Sequence, residues 1–309
     1  MQVFRGIPER ATQSCVLTIG NFDGVHLGHQ ALLAELRAVA RRVALPAAVL
    51  TFEPHPREFF APESAPARLT SLREKMLLLD GQGVDHLYIC RFNARFAGLS
   101  AEDFVEGVLA HGLSTRHLII GDDFRYGKGR RGDFAQLQQA SAEHRFVVEA
   151  MRTVMVGEER ASSSAIRRLL AQGDMAHAAR LLGRPYSIAG RVVHGNKLGR
   201  KLGFPTANIQ LKRIRLALAG IFAVTVEGID AQPLPGVASL GLRPTVEGDG
   251  RFHLEVHLFD FDRELYDAHL RVNFLHKLRD EAKYDSLDAL TAQISRDCAQ
   301  ARNFLSQLS

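Results

Sequence analysis

At Gly183-Arg184-Pro185 the hydrophobic patterning changes period, and that change constrains the fold more than any other feature of the chain. Upstream, Cys15 to Ile19, Ala47 to Phe52, His86 to Phe92, His117 to Ile120 and Phe146 to Ala150 are short apolar runs. Strands covered on both faces have this pattern, so a parallel sheet is expected. Between them Ser71-Leu-Arg-Glu74 and Ser100-Ala-Glu-Asp103 read as capped helix starts, and Asp133 as the cap of a helix carrying Phe134, Leu137 and Ala140. A last helical stretch, Ser164 to Leu182, breaks at Gly173-Asp174 and ends at the glycine-proline punctuation. Residues 1–184 are predicted to form a Rossmann-like α/β domain.

Downstream the segments alternate and are β-branched: Tyr186 to Val193, Ile221 to Val226, Gly236 to Leu240, Arg251 to Phe259 and His269 to Leu275. Glu247-Gly-Asp-Gly250 reads as a hairpin turn, and Leu287, Leu290, Ile294, Cys298 and Ala301 recur at helical spacing. Residues 185–309 are predicted to form a small antiparallel β-barrel closed by a C-terminal helix. A chain of 309 residues, 46% hydrophobic and 24% charged, can fill two cores and is not disordered.

No run approaches the roughly 18 apolar residues of a membrane span, and the N-terminus has no apolar segment followed by a cleavage site. A cytoplasmic protein without a membrane partner is expected. Cys15, Cys90 and Cys298 form no CxxC pair, which disfavours cysteine redox chemistry and a structural zinc site. The net charge of +5 is spread evenly: 23 basic against 20 acidic residues to Arg184, and 16 against 14 beyond. Without a basic stripe or an aromatic array, a nucleic-acid partner is not expected. The basic clusters, Arg125 to Arg131 and Lys197 to Lys201, are short and glycine-laced and suit phosphates; Lys128 to Asp133 reads as a mobile cover or a solvated loop. Nothing in the sequence fixes an oligomeric state.

The string Ile19-Gly-Asn-Phe-Asp-Gly-Val-His-Leu-Gly-His29 leaves the first of these strands and enters a helix. Its glycines permit close backbone approach, the helix start offers free N–H groups, and His26 and His29 fall three apart on one face. Two surface histidines at a helix start would look the same, but the C-terminal edge of a parallel sheet is where ligands bind. In the second half, Gly190 to Gly203 is glycine-rich and basic without satisfying the Walker pattern, which excludes a P-loop fold and leaves a flap whose backbone N–H groups meet phosphates. Glu255 lies in Phe252-His-Leu-Glu-Val-His-Leu258, where Phe252, Leu254, Val256 and Leu258 share one face and His253, Glu255 and His257 the other. Periodicity leaves open whether Glu255 faces solvent or a site. A strand would set His253 and His257 roughly 13 Å apart, so they are not read as a metal pair.

The first string resembles the GxFDGxHxGH signature of the HxGH nucleotidyltransferases. Thr51-Phe-Glu-Pro-His-Pro56, Gly121-Asp-Asp-Phe-Arg-Tyr-Gly127 and Ser162-Ser-Ser-Ala-Ile-Arg167 resemble, in order, further motifs of bacterial FMN adenylyltransferases, and Gly203-Phe-Pro-Thr-Ala-Asn208 resembles the riboflavin kinase hallmark. The resemblance spans nearly the whole chain and is to the bifunctional riboflavin kinase/FMN adenylyltransferases, bacterial FAD synthetases. Asp123, Tyr126 and Ser164 depart from the commoner Asn, Phe and Thr while keeping polarity or shape.

The resemblance implies riboflavin, FMN and ATP as substrates, FAD as product and Mg²⁺ as the metal. It implies that His26 and His29 hold the phosphates in adenylyl transfer, on a loop where Gly20, Phe22, Asp23 and Gly24 meet the nucleotide. Arg167 with Ser163 and Ser164 would take the leaving pyrophosphate, Asp123 would contact the adenylyl group or metal, and FMN could stack near Glu53 to Pro56. In the kinase half it implies Gly195 and Lys197 near the ATP phosphates, Thr206 and Asn208 as Mg²⁺ ligands, Glu255 as base, and Arg279 with Tyr284 on the flavin side. A monofunctional nucleotidyltransferase whose barrel is a non-catalytic binding module is the alternative.

Overall fold

The computed structural model describes residues 1–195, 198–211, 213–242 and 252–308. Lys197 and the predicted turn Glu247 to Gly250 lie outside the described residues. The chain divides into two compact units, 1–66 with 72–161, and 67–71 with 162–309.

The first unit opens with β1 (Gln2–Arg5), β2 (Cys15–Ile19), α1 (Leu27–Arg42), β3 (Ala47–Glu53), α2 (Pro56–Phe60), α3 (Leu72–Gly81) and β4 (His86–Arg91). Then come α4 (Ala94–Ala97), α5 (Ala101–Asp103), which runs on in π-helical bonding to Gly112, β5 (Thr115–Gly121) and α6 (Phe134–His144). It ends with β6 (Val147–Met151) and the ribbon β7 (Met155–Val156) and β8 (Glu159–Arg160). Strands β1-β4-β3-β2-β5-β6 pair in that order, all parallel.

Alternate residues of β2 explain its unbroken apolar run. Cys15, Leu17 and Ile19 pack with Phe104, Leu109 and Leu113, whereas Val16 packs with Leu33, Leu36 and Val39 of α1. Each fully buried side chain of this size contributes about 1.5–3 kcal/mol. The five predicted strands are present; β1 is an addition, four mostly exposed residues at the sheet edge and too short for a periodic signal. The order reverses between β2 and β5, so the loops after these strands open into the crevice where open α/β sheets bind ligands.

The second unit comprises α7 (Ser163–Gln172), α8 (Met175–Leu182), β9 (Tyr186–Val193), α9 (Leu198–Lys201), β10 (Ala207–Ile209), β11 (Gly220–Glu227), β12 (Leu234–Leu242), β13 (Phe252–Leu258), β14 (His269–Arg279) and α10 (Leu287–Ser306). The strands close a barrel in the order β10-β13-β12-β11-β14-β9, with antiparallel pairing. Gly173, at φ 79°, ends α7 in the left-handed region, and the Asp174 carboxylate accepts from His177 N–H at 3.0 Å to start α8, which is the predicted break. Ser286 caps α10. That helix buries Cys298, Ala301 and Leu305 against Ala223, Val237 and Phe259 of the barrel exterior.

Arg279 fastens α10 to the barrel. Its Nε and Nη2 donate to both oxygens of Asp297 at 2.9 and 2.6 Å, its Nη1 donates to the Asp280 carbonyl at 2.9 Å, and the Asp297 side chain is 4% exposed. Removing one partner of a buried pair strands the other charge. Arg279→Ala is expected to lower stability by about 3 kcal/mol, read by urea denaturation followed by circular dichroism.

Candidate active site

In the first unit the chain leaves β2 through a strained loop. Phe22, Gly24 and Val25 have φ values of 48°, 83° and 42°, and a β-branched residue at positive φ is an outlier. The core holds this conformation: the Phe22 and Val25 side chains are buried at 0% and 1% exposure among Val16, Leu33 and Leu36. Phe22 therefore gives its ring to the core and leaves only its backbone at the ligand edge. Gly20 packs on that ring, where a Cβ would lie 3.1 Å from it, and Asp23 and Gly24 are buried beside it.

His26 is the N-cap of α1. Its Nδ1 accepts from His29 N–H at 3.4 Å, a long bond that puts the proton of a neutral ring on Nε2. The two imidazoles stack with centroids 3.7 Å apart. His29 Nδ1 is sealed from solvent and has no hydrogen-bond partner among the described residues. Burial, with His26 and Lys75 adding positive charge, holds the His29 pKa well below its ordinary value. His29 is thus neutral at pH 7 and can donate from one nitrogen only.

On the loop that leaves β5, Asp123 is exposed and pairs with Arg160 at 3.0 Å; at the surface this is worth about 0–1 kcal/mol. Lys128 to Asp133 is less loose than the sequence suggests, since Tyr126 and Gly132 bridge and Lys128 N–H donates to the Leu99 carbonyl at 2.7 Å. The segment after β3 is a short helix: His55 and Glu58 form a reciprocal capping box at the start of α2. That helix ends in Phe59 and Phe60, which meet Phe92 edge-on at 5.5 and 5.6 Å, with Phe60 66% exposed. Sequence reasoning missed this platform, although two adjacent phenylalanines after a binding-edge strand were a usable signal. All three thiols are buried, and burial pushes Cys15 and Cys90 to about 12 and Cys298 to about 11.

Ser163, Ser164 and Arg167 stand on α7 in the second unit. Ser162, not its two successors, caps the helix by accepting from Ala165 N–H at 3.2 Å. Arg167 is half-buried and its Nε donates to the Ala67 carbonyl at 2.6 Å.

On the barrel, antiparallel register sets Asn208 of β10 opposite Glu255 of β13, and Ser239 of β12 opposite Glu255 on the other side. Thr206 Oγ1 lies 3.5 Å from Glu255 Oε2. Glu255 points outward from the barrel, since Leu254, Val256 and Leu258 take the inward face. The neighbours of Glu255 on that face are engaged as well: His257 Nδ1 meets the Pro205 carbonyl at 2.8 Å, and His253 Nε2 lies 3.6 Å from Glu281. Gly195 and Gly199 close over this group. A Cβ on Gly195 would lie 2.4 Å from the Asn208 amide, and one on Gly199 would lie 2.4 Å from the Phe204 carbonyl. Only glycine allows that approach. Glu281, which crowds Gly241 and reaches Ser239 Oγ at 3.5 Å, was missed because it is brought to this face by tertiary packing.

Thr206, Asn208 and Glu255 offer hydroxyl, amide and carboxylate oxygens, and no group of three or more His, Cys, Asp or Glu able to hold an ion occurs among the described residues. This donor set fits a hard cation that keeps most of its ligands from water and nucleotide phosphates, as Mg²⁺ does.

The FAD synthetase family model matches residues 9–165 and the riboflavin kinase model residues 182–305. A bifunctional riboflavin kinase/FMN adenylyltransferase of Pseudomonas fluorescens is 52% identical over 98% of this chain and 97% of its own. The protein of that description from Escherichia coli K12 is 49% identical, covering 98% of each chain. A crystal structure of a macrolide-efflux protein from Streptococcus pneumoniae superposes with a TM-score of 0.83 at 30% identity, over 97% of this chain and 99% of that one. No helix among the described residues is long and apolar enough to cross a membrane. Two family models in the order of the two folds, and full-length relatives near half identity, agree with the motifs on both units: the chain belongs to the bifunctional riboflavin kinase/FMN adenylyltransferase family.

Proposed function

We propose that this chain makes FAD in two steps, phosphorylating riboflavin with ATP and then transferring the adenylyl group of a second ATP to FMN with release of pyrophosphate. The observation that carries the reading is the barrel register that brings Thr206, Asn208 and Glu255 together. A barrel acting only as a binding module has no need of that constellation.

In the kinase step Glu255 takes the proton of the riboflavin 5′-hydroxyl as it attacks the γ-phosphorus of ATP, whose bond to the bridging oxygen breaks so that ADP leaves. Thr206 and Asn208 would hold Mg²⁺, which when bound would neutralise phosphate charge. Gly195, with Lys197, lets the flap backbone approach the phosphates, and Arg279 steadies the flavin-side segment through Asp297. In the adenylyl step FMN supplies the nucleophile, so the protein's work is positioning and charge stabilisation. The loop Gly20 to Gly24 cradles the nucleotide, with Phe22 acting through its backbone. His26 and His29 donate to the phosphates in transfer, Asp123 contacts the adenylyl group, and Arg167 with Ser163 and Ser164 binds pyrophosphate, a task suited to the guanidinium fork. The Phe59–Phe60 platform stacks the flavin ring. The functional division falls at Gly183-Arg184-Pro185, downstream of the division between compact units, because Arg167 belongs by motif with the first half. The reactions take place in the cytoplasm.

Incubation with riboflavin and Mg-ATP, followed by separation of the flavins, tests the reading: FMN appears first and FAD follows. FMN supplied directly becoming FAD, with riboflavin left untouched, would favour the monofunctional alternative. Excess chelator is expected to stop both steps without a change in circular dichroism, because the ion arrives with ATP; FAD formation surviving in chelator would contradict the metal's part.

A further inference from the structure

Lys75 is a buried lysine that neither step above uses. On α3 the core-facing positions are Lys75 and Leu79, while Leu77 is 49% exposed. An ammonium at 4% exposure, in a place where the helix pattern calls for an apolar residue, is costly to desolvate and rare. Its Nζ lies 3.5 Å from Thr51 Oγ1, and the Thr51 hydroxyl donates to the Asn21 carbonyl at 3.3 Å. Asn21 belongs to the loop that ends in the histidine pair.

We propose that Lys75 is a positioning residue of the adenylyl-transfer site, tying the loop from Gly20 to His26 to α3 through Thr51 and setting a fixed positive charge near His29. The inference rests on the assignment of that site to His26 and His29. Three observations meet in it: the Lys75–Thr51–Asn21 chain, the sealed and unpartnered Nδ1 of His29, and the stacking of two imidazoles at 3.7 Å. Rings so close cannot both carry a proton charge cheaply, and a third cation beside them makes protonation of His29 costlier still. Among the described residues, the charged or titratable groups that act on His29 are His26 from its own loop and Lys75 from α3. The result is a division of labour, in which α3 brings a basic group to the loop and the histidine rings hydrogen-bond phosphate. A fixed charge needs no reorganisation when phosphate charge shifts.

Lys75→Met in the full chain removes the charge and keeps the length. FMN-to-FAD conversion measured from pH 5 to 9 is expected to lose at least 30-fold in kcat, with KM for FMN and ATP within threefold. The acid side of that profile should shift to higher pH, because Lys75 no longer adds to the burial and the His26 charge that lower the His29 pKa. Riboflavin phosphorylation in the same samples should stay within twofold. A kcat within threefold of wild type, or a loss with an unchanged pH profile, overturns the inference, the second by making Lys75 a packing residue only. Should Lys75→Met not fold, seen as loss of phosphorylation too, histidine NMR of the wild type decides, with the signal identified against His29→Gln. His29 staying neutral to pH 5 supports the inference, and titration near about 6.5 overturns it. A wild-type rate in His29→Ala would instead strike the site assignment, and the role of Lys75 with it.

Discussion

Glu255→Gln lowers riboflavin phosphorylation by a factor of roughly 100 to 10,000, while FMN supplied directly still becomes FAD at the wild-type rate. The amide keeps the shape of the carboxylate and its contact with Thr206 Oγ1, 3.5 Å away in the parent, but cannot take a proton. What is lost is therefore the base. The barrel should persist, because the inward residues of β13 that fill its core, Leu254, Val256 and Leu258, are untouched. Flavin separation after incubation with riboflavin, and in parallel with FMN, reads both activities. Loss of both in a folded protein would mean that one site serves the two reactions.

His29→Ala does the reverse. It removes a donor aimed at the phosphates in transfer, for which roughly 100-fold or more is expected, and riboflavin then accumulates as FMN. Arg167→Ala should act on the same step, since it removes the fork assigned to pyrophosphate. Neither residue belongs to the Thr206–Asn208–Glu255 group on the barrel. Wild-type FAD formation in either folded variant would contradict the role given to that residue.

The strands of both halves were legible because each is long enough to show its period. β2 reads as an unbroken apolar run and β13 as strict alternation. β1 and β10, four and three residues long, were not, being too short to show a period. Periodicity put Glu255 on the outward face without saying what it meets there. Its partner Asn208 comes from a strand 47 positions upstream, and only register supplies that. Arg279 shows the same limit: the resemblance implies the flavin side, and only tertiary structure adds that docking of α10 brings Asp297 to its guanidinium. The grouping of α7 and α8 with the barrel follows from packing of α8 on β9 and β14, which no local pattern encodes. Lys75 broke its helix pattern in plain view, yet the break acquires meaning only beside Thr51 and His29.

Mixing the two inactive variants tests the central claim, two independent sites on one chain, most directly. Glu255→Gln and His29→Ala, each folded and each unable alone to carry riboflavin to FAD, are combined at equal concentration with riboflavin and Mg-ATP. FMN made on the barrel of the second is then adenylylated by the first, and FAD accumulates at a rate that rises with the concentration of Glu255→Gln. FMN accumulating with no FAD beyond that formed by His29→Ala alone would contradict the account.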